Sequence, residues 1–275
     1  MCAVSFGRAF LGVLLLVVAA CATPVPASVP APEAGPARTV RPEVLAEQPH
    51  DTSAFTQGFE LAPRGGDTGP EGEIALYEGT GLAGRSQLRE LDPATGAVRR
   101  SVPLPGTLFG EGITVVDDRI WQLTWQDGVA LEWDRATFGL LRQVPLDGEG
   151  WGLCGDGERL VRSDGTAMLR FHDPGSFAET GSVAVTLDGR PVTRLNELEC
   201  VDGQVWANVW QTDLIVRIDP SDGRVIQVVD AAGLLDPARR AGADVLNGIA
   251  AAGDGEFLLT GKLWPATFRV RIPPA

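Results

Sequence analysis

The chain has 275 residues, of which 23 are basic and 36 are acidic, so its formal net charge is −13. This acidic balance argues against a nucleic-acid-binding protein, because phosphates require a basic face. After an N-terminal segment that cannot form a core, about one domain of chain remains, which is enough to bury a large one.

Residues 1–21 have the features of a bacterial lipoprotein signal peptide. Arg8 is followed by an apolar run at residues 10–18, too short to span a bilayer comfortably, and then by small residues up to Cys21. The Ala-Ala pair before Cys21 resembles a lipoprotein cleavage site, at which Cys21 becomes the lipidated first residue. An ordinary cleaved signal with an incidental cysteine is the alternative. Because Ala22 follows instead of Asp, we expect a lipoprotein of the outer membrane that faces the periplasm.

Residues 22–38 are rich in Ala and Pro. Such a composition favours extended, solvated chain and cannot build a core. We therefore expect a tether here, followed by a single folded domain at residues 39–275. The lipid would be the only attachment to the membrane, and we expect a monomer.

A short pattern recurs five times at intervals of about 40–50 residues, and this period is typical of the four-stranded blades of a β-propeller. Each copy has a polar or aromatic residue, then Gly or Glu, then a large apolar residue. The copies are Gln57-Gly58-Phe59, Glu111-Gly112-Ile113, Trp151-Gly152-Leu153, Asn196-Glu197-Leu198 and Asn247-Gly248-Ile249. The pattern predicts an all-β fold, a five-bladed β-propeller, rather than a solenoid or a sandwich.

A second marker indicates where the third and fourth strands of each repeat meet. Turns opened by Asp, often followed by Pro and closed by Gly, begin at Asp92, Asp134, Asp173 and Asp219. The fifth copy has no fourth strand after Ile272. We expect residues 39–47 to supply it, so that the N-terminal strand joins the last blade and closes the ring. Residues 236–241 are predicted to form a helical insertion.

Four residues bear on redox and metal chemistry. Cys154 and Cys200 each lie two residues before an Asp-Gly turn, so they are equivalent in neighbouring repeats. They could pair in an oxidising compartment, but we expect such positions to lie too far apart, which slightly favours two free thiols. His50 is predicted to be structural and His172 to lie at the surface. No ligand spacing typical of a metal site is present, so we expect no metal and no cofactor. A calcium or other structural ion in the channel, held by carboxylates and carbonyls, is the alternative.

In a propeller, the first strands line the central channel and the loops at their ends form the site. The repeat therefore predicts two rings of candidate site residues, which combine an apolar cup with a few polar groups. The first ring is Gln57, Glu111, Trp151, Asn196 and Asn247, and the second is Trp125, Asp164, Trp210 and Lys262. Blade-packing tryptophans are the alternative interpretation.

Between residues 48 and 272 the motifs, taken together and in order, resemble the plant-type glutaminyl-peptide cyclotransferases. They are Pro49-His50-Asp51-Thr52-Ser53-Ala54-Phe55-Thr56-Gln57-Gly58, Phe109-Gly110-Glu111-Gly112, Leu123-Thr124-Trp125, Gly150-Trp151-Gly152-Leu153, Leu195-Asn196-Glu197-Leu198-Glu199, Asn208-Val209-Trp210, Leu246-Asn247-Gly248-Ile249 and Thr260-Gly261-Lys262-Leu263-Trp264-Pro265. The resemblance implies a five-bladed propeller that converts the N-terminal glutamine of peptides or proteins to pyroglutamate with release of ammonia. It implies functional roles for Phe55, Gln57, Phe109, Glu111, Trp125, Trp151, Asn196, Trp210 and Lys262.

The residues suit that chemistry. Glu111 could act as general base and then general acid, and Lys262 would assist it. Gln57, Lys262 or an indole N–H could stabilise the oxyanion, and the sequence does not choose among them. The alternative function is a non-catalytic envelope propeller, a scaffold or a binding module. A metal-centred propeller lactonase is a further alternative, against which the lack of metal-ligand spacing argues.

Overall fold

The computed structural model describes residues 1, 3, 7, 36–65 and 72–274. Most of the predicted signal peptide, including Cys21, and most of the predicted tether lie outside the described residues. From Pro36 onward the described chain is built from strands, and its helical segment is a single 3₁₀ turn at Pro237–Arg239. This turn is shorter than the predicted helical insertion. Within the described part, no helix is long and apolar enough to cross a membrane.

The strands follow one another in groups of four. Two strands precede the groups: β1 (Arg38–Val40) and β2 (Glu43–Pro49). The first group is β3 (Thr56–Pro63), β4 (Ile74–Thr80), β5 (Gln87–Leu91) and β6 (Val98–Pro103). The second is β7 (Gly110–Val116), β8 (Arg119–Thr124), β9 (Val129–Asp134) and β10 (Leu140–Pro145). The third is β11 (Leu153–Gly155), β12 (Leu160–Ser163), β13 (Met168–His172) and β14 (Glu179–Ala184).

The remaining strands complete the pattern after a short hairpin, β15 (Thr186–Leu187) and β16 (Arg190–Pro191). The fourth group is β17 (Leu195–Val201), β18 (Gln204–Val209), β19 (Leu214–Asp219) and β20 (Arg224–Asp230). The last is β21 (Leu246–Gly253), β22 (Glu256–Gly261) and β23 (Ala266–Arg271). Hydrogen bonds join the strands of each group into an antiparallel meander, so the described chain forms five sheets. The prediction of an all-β, propeller-like fold is confirmed.

The turn markers lie where they were predicted, between the third and fourth strands. In each, the Asp side chain accepts a hydrogen bond from a backbone N–H two or three residues later, for example from Thr95 to Asp92 and from Ser221 to Asp219. These bonds fix the turn locally, because a short carboxylate can stand in for a backbone acceptor. The fourth strands β6, β10 and β14 are largely exposed, whereas the first three strands of each sheet are buried.

Five buried apolar clusters form the core, and each lies between two sheets. Four of them join consecutive sheets, as the cluster around Tyr77 and Trp133 joins the first sheet to the second. The fifth, around Phe59 and Leu258, joins the first sheet to the last. Burial of this apolar surface is the main term that stabilises such a fold.

The glycine of the repeated pattern is required by close packing of the first strands. A Cβ at Gly112 would lie 2.6 Å from the backbone N of Leu153, and one at Gly152 would lie 2.0 Å from the carbonyl O of Asn196. Glu197 takes the place of this glycine in the fourth copy. Its carboxylate accepts hydrogen bonds from the backbone N–H groups of Phe59 and Ile249, which lie on first strands of two other sheets.

The N-terminal segment differs from the prediction of one strand at residues 39–47. It forms two strands, of which β1 pairs in parallel with β20 and β2 pairs antiparallel with β23. Pro42 lies between them, and because proline has no N–H it interrupts the ladder. β2, the strand beside β23, begins after Pro42 and extends to Pro49, beyond the predicted end at residue 47.

Two sequence predictions about buried residues were wrong. Cys154 and Cys200 form a disulfide, with their Cα atoms 5.4 Å apart, because their strands β11 and β17 contact each other. His172 is buried instead of exposed. Its Nδ1 bonds to the carbonyl of Phe177, and its Nε2 accepts a hydrogen bond from Arg162. His50 is structural, as predicted, and bonds to Trp264 O and to Glu78.

Candidate active site

A cavity of about 350 Å³ brings nearly all of the predicted site residues together. Its volume is in the range of small-molecule sites. It is lined by Phe55, Gln57, Phe109, Glu111, Trp125, Trp151, Asn196, Trp210, Gln211, Asp244, Val245 and Lys262. Asn247 is not part of the lining, and neither is Asp164, whose carboxylate is held by Thr166 and Arg170.

The topology explains why these residues meet. The first and second strands of each sheet are antiparallel, so the start of the first strand and the end of the second lie at the same end of the sheet. Gln57 and Glu111 lie at the starts of first strands, β3 and β7. Trp125 and Lys262 each follow the end of a second strand, β8 or β22. The cavity is therefore lined by residues at the strand ends of several sheets.

Glu111 is the buried carboxyl of the cavity and is 5 % exposed. Its Oε1 accepts a hydrogen bond of 2.9 Å from Gln57 Nε2. Burial raises the pKa of Glu111 well above its usual range; the charge of Lys262 opposes this rise, and the negative charge of Glu149 adds to it. A carboxylate whose pKa is raised in this way is a stronger base than an ordinary one, and it can return the proton that it takes.

Lys262 is the cation of the cavity, and its side chain is buried too. Its Nζ lies 4.8 Å from the centre of the Phe55 ring, in a cation–π contact. Burial lowers the pKa of Lys262, while the charges of Glu111 and Asp244 raise it. In both Glu111 and Lys262 the charged form is thus disfavoured by burial and partly restored by the other residue.

Asn247 lies behind the cavity and orients Gln57. Its Nδ2 donates to the carbonyl O of Thr56 at 2.9 Å and to Gln57 Oε1 at 3.2 Å. Gln57 in turn donates to Glu111. Asn247 was predicted to be a site residue. Its side chain does not line the cavity and instead holds Gln57.

Aromatic side chains form the walls, and their rings contact one another edge to face. Phe109 packs against Phe55 and Trp125, with ring centres 6.2 and 5.6 Å apart. Trp151 packs against Trp210 at 5.4 Å. Rings in this arrangement reinforce one another's positions.

Polar groups at the walls differ in how they are bonded. The indole N–H groups of Trp125 and Trp151 both donate to Glu149 Oε2 at 2.9 Å. The Oδ1 of Asn196 is buried and has no hydrogen-bond partner within the described residues. A buried polar atom without a partner is costly, so Asn196 is available to bond a group that enters the cavity.

Sequence reasoning missed Gln211, Asp244, Val245 and Glu149. The first three lie in loops outside the repeated pattern, and Gln211 has a positive φ of 62° directly after Trp210. Glu149 lies two residues before Trp151, and only its acidic character near a motif residue could have indicated it. Among the described residues, no group of three or more His, Cys, Asp or Glu side chains is placed to hold a metal ion.

Comparisons with known proteins identify the family of the chain. A family model described as "Glutamine cyclotransferase" matches residues 13–272. A protein named glutaminyl-peptide cyclotransferase from Arabidopsis thaliana is 41% identical over 239 residues, which cover 85% of this chain and 72% of the relative. The crystal structure of the Myxococcus xanthus glutaminyl cyclase superposes with a TM-score of 0.75 at 38% identity, covering 86% of this chain and 97% of that one. The chain therefore belongs to the glutamine cyclotransferase family.

Proposed function

We propose that this chain is a glutaminyl-peptide cyclotransferase, an enzyme that converts the N-terminal glutamine of peptides and proteins to pyroglutamate and releases ammonia. The observation that carries the proposal is the buried carboxyl of Glu111, whose pKa is raised and which lies near Lys262 in an aromatic cavity. A scaffold or binding module has no need of two buried ionisable groups at the mouth of its channel. Membership of the family supports the same conclusion.

The reaction is an intramolecular aminolysis. The α-amine nitrogen attacks the carbon of the side-chain carboxamide, a C–N bond closes the five-membered lactam, and the bond to the departing nitrogen breaks. One proton passes from the amine to that nitrogen, which leaves as ammonia. Because both reacting groups belong to one residue, holding them in a bent pose supplies much of the rate acceleration.

Glu111 moves the proton. An α-amine has an ordinary pKa of about 8, so a useful fraction is neutral near neutral pH. As the carbon–nitrogen bond forms, Glu111 takes the proton from the amine and then gives it to the departing nitrogen. Burial and the raised pKa suit Glu111 to both halves of this task. Gln57, oriented by Asn247, keeps the carboxyl in place.

Lys262 stabilises the oxyanion. At the cavity, the indole N–H groups of Trp125 and Trp151 donate to Glu149, and one N–H of Gln57 Nε2 donates to Glu111. Lys262 differs from the other donors of the lining because it can carry a positive charge. The ammonium group of Lys262 is directed to the cavity and its positive charge opposes the developing negative oxygen. The aromatic walls exclude water, which would otherwise hydrolyse the side chain to glutamate.

An ammonia-release assay on two peptides tests the proposal. The wild-type protein should release ammonia from a peptide that begins with glutamine and none from the same peptide with an acetylated N-terminus, which has no attacking amine. Release from both would indicate an amidase, and release from neither would favour the scaffold or binding module. Lys262→Met should slow the reaction of the free peptide by lowering kcat.

We also infer that the five sheets are the blades of one closed ring. Supporting this, the first strands β3, β7, β11, β17 and β21 contact one another in cyclic order, and β21 contacts β3. The apolar cluster around Phe59 and Leu258 joins the first sheet to the last. β2 would be the fourth strand of the last blade, so it would cover the edge of β23.

Finally, we propose that residues 1–21 are a lipoprotein signal, residues 22–38 a tether and residues 39–275 the catalytic domain. Lipidation at Cys21 would hold a monomeric enzyme in the bacterial envelope, facing the periplasm from the outer membrane. Cys21→Ser should move the protein from the membrane to the soluble fraction, and the native form should carry acyl mass. Unchanged fractionation of that variant would contradict the anchor.

A further inference from the structure

We propose that Glu149 is a positioning residue for the cyclisation cavity: its single carboxylate holds the indoles of Trp125 and Trp151 as two fixed walls. This inference rests on the proposed function, because its kinetic test needs the cyclisation reaction. Its structural test does not.

The hydrogen bonds of Glu149 converge from two sheets. Oε2 accepts from Trp125 Nε1 and from Trp151 Nε1, each at 2.9 Å, and Oε1 accepts from Gln126 Nε2 at 2.7 Å. Trp125 follows β8 of the second sheet, whereas Trp151 precedes β11 of the third. One carboxylate therefore fixes the spacing between walls that different sheets supply.

The same bonds set the orientation of the rings. A tryptophan side chain has two rotatable bonds, and a hydrogen bond at the ring nitrogen restricts both. Trp151 is also confined from behind, because a Cβ at Gly165 would lie 2.6 Å from its ring. Trp125 packs against Phe109, and Trp151 packs against Trp210. Fixing the two indoles therefore also restricts the rings of Phe109 and Trp210.

The charge of Glu149 reaches Glu111 as well. Burial by itself would raise the pKa of Glu149, but the bonds from Trp151, Gln126 and Trp125 lower it below the usual range, so the carboxylate stays ionised. That negative charge raises the pKa of Glu111, in addition to the larger effect of burial and against the attraction of Lys262. The negative charge of Asp164 also acts to raise the pKa of Glu149, and the guanidinium of Arg162 donates to the Glu149 carbonyl O.

The variant Glu149→Gln tests whether Glu149 positions the indoles or has no effect on the cavity. The amide has one acceptor oxygen and an NH2 group that accepts no bond, so it cannot hold all three donors. The donors that it still holds are bound more weakly, because the acceptor is no longer charged. We expect kcat/KM for a glutamine-initiated peptide to fall roughly 10- to 100-fold, the scale that misplacement of a substrate-positioning group produces. The limb of the pH–rate profile that reports Glu111 should move to lower pH, because a negative charge has been removed.

Asp147→Asn is the matched control. Asp147 is exposed, lies two residues away and carries the same charge, but its carboxylate accepts no hydrogen bond from an indole of the described residues. We expect its kcat/KM and pH profile to equal those of the wild type. Equal effects of the two substitutions, or wild-type values for Glu149→Gln, would overturn the proposal.

A measurement without substrate keeps the test independent of the proposed reaction. The near-ultraviolet circular dichroism of Glu149→Gln should change in the tryptophan region and its acrylamide quenching should increase, while the far-ultraviolet spectrum stays that of the wild type. Tryptophan signals identical to those of the wild type would show that Glu149 does not hold the two indoles, even if the chain proved to have no cyclase activity. Loss of activity with unchanged tryptophan signals would refute the proposal as well.

Discussion

Replacing Glu111 with Gln removes the proton carrier of the proposed reaction and changes little else. The two side chains have nearly the same volume, and the amide oxygen of the new residue can still accept the bond from Gln57 Nε2, which is 2.9 Å long in the native protein. General acid–base groups contribute about 10²–10⁴-fold. We therefore expect kcat to fall by that factor, which is about 3 to 5.5 kcal/mol of activation free energy, with little change in KM.

The stability of Glu111→Gln gives a second, signed expectation. Burial raises the pKa of Glu111 in the folded state. A carboxyl of this kind favours folding below its ordinary pKa, and that contribution is lost as the pH rises through the folded-state value. The neutral amide does not ionise, so the variant should melt no lower than the wild type at pH values above the ordinary pKa of Glu.

Steady-state kinetics and thermal melting on one preparation check both expectations. Glu197→Gln is the control, because it also removes a buried carboxyl from a first strand but does not line the cavity. Its kcat should stay at the wild-type value. A Glu111→Gln variant with wild-type kcat and a lowered melting temperature would show that Glu111 is a structural carboxyl, and the proposed mechanism would be wrong.

Three further perturbations test the fold. Replacing Cys154 and Cys200 together with Ala should lower the free energy of unfolding by up to about 4 kcal/mol, since the disulfide links residues 46 apart; a denaturation midpoint equal to that of the oxidised wild type would contradict this. A chain shortened to begin at His50, which lacks β2, should melt lower or aggregate, whereas one that begins at Glu43 lacks only β1 and should melt closer to the full chain; equal melting of the two would contradict the role given to β2. Burial raises the pKa of Glu60 to about 7, so its contribution to stability is lost as the pH rises from about 4.5 through 7; Glu60→Gln should make the melting temperature depend less on pH over that window, and an unchanged slope would contradict the assignment.

The repeated pattern predicted much of the site because it is a consequence of packing. Wherever first strands approach one another closely, as at Gly112 and Gly152, the position before the glycine lies at the same edge of its sheet. A regular spacing in the sequence thereby brings these side chains together in one cavity. The repeat located Trp125 and Trp210 as well, because each directly follows the second strand of its sheet.

What the sequence could not supply were the distances between sheets and the contacts of side chains outside the repeated pattern. Cys154 and Cys200 were expected to lie too far apart, since nothing in the sequence states how closely their strands approach each other. The burial of His172 depends on Arg162, which lies on the neighbouring strand. Glu149 became visible only when the indoles of two sheets were found on one carboxylate.

The central claim is that this chain cyclises N-terminal glutamine, and mass spectrometry of a glutamine-initiated peptide incubated with the protein tests it most directly. The account predicts a product lighter than the substrate by one ammonia and blocked at its N-terminus, formed by the wild type far faster than by an equal amount of Glu111→Gln. A peptide that the wild type leaves unchanged, or converts no faster than buffer does, would contradict the claim.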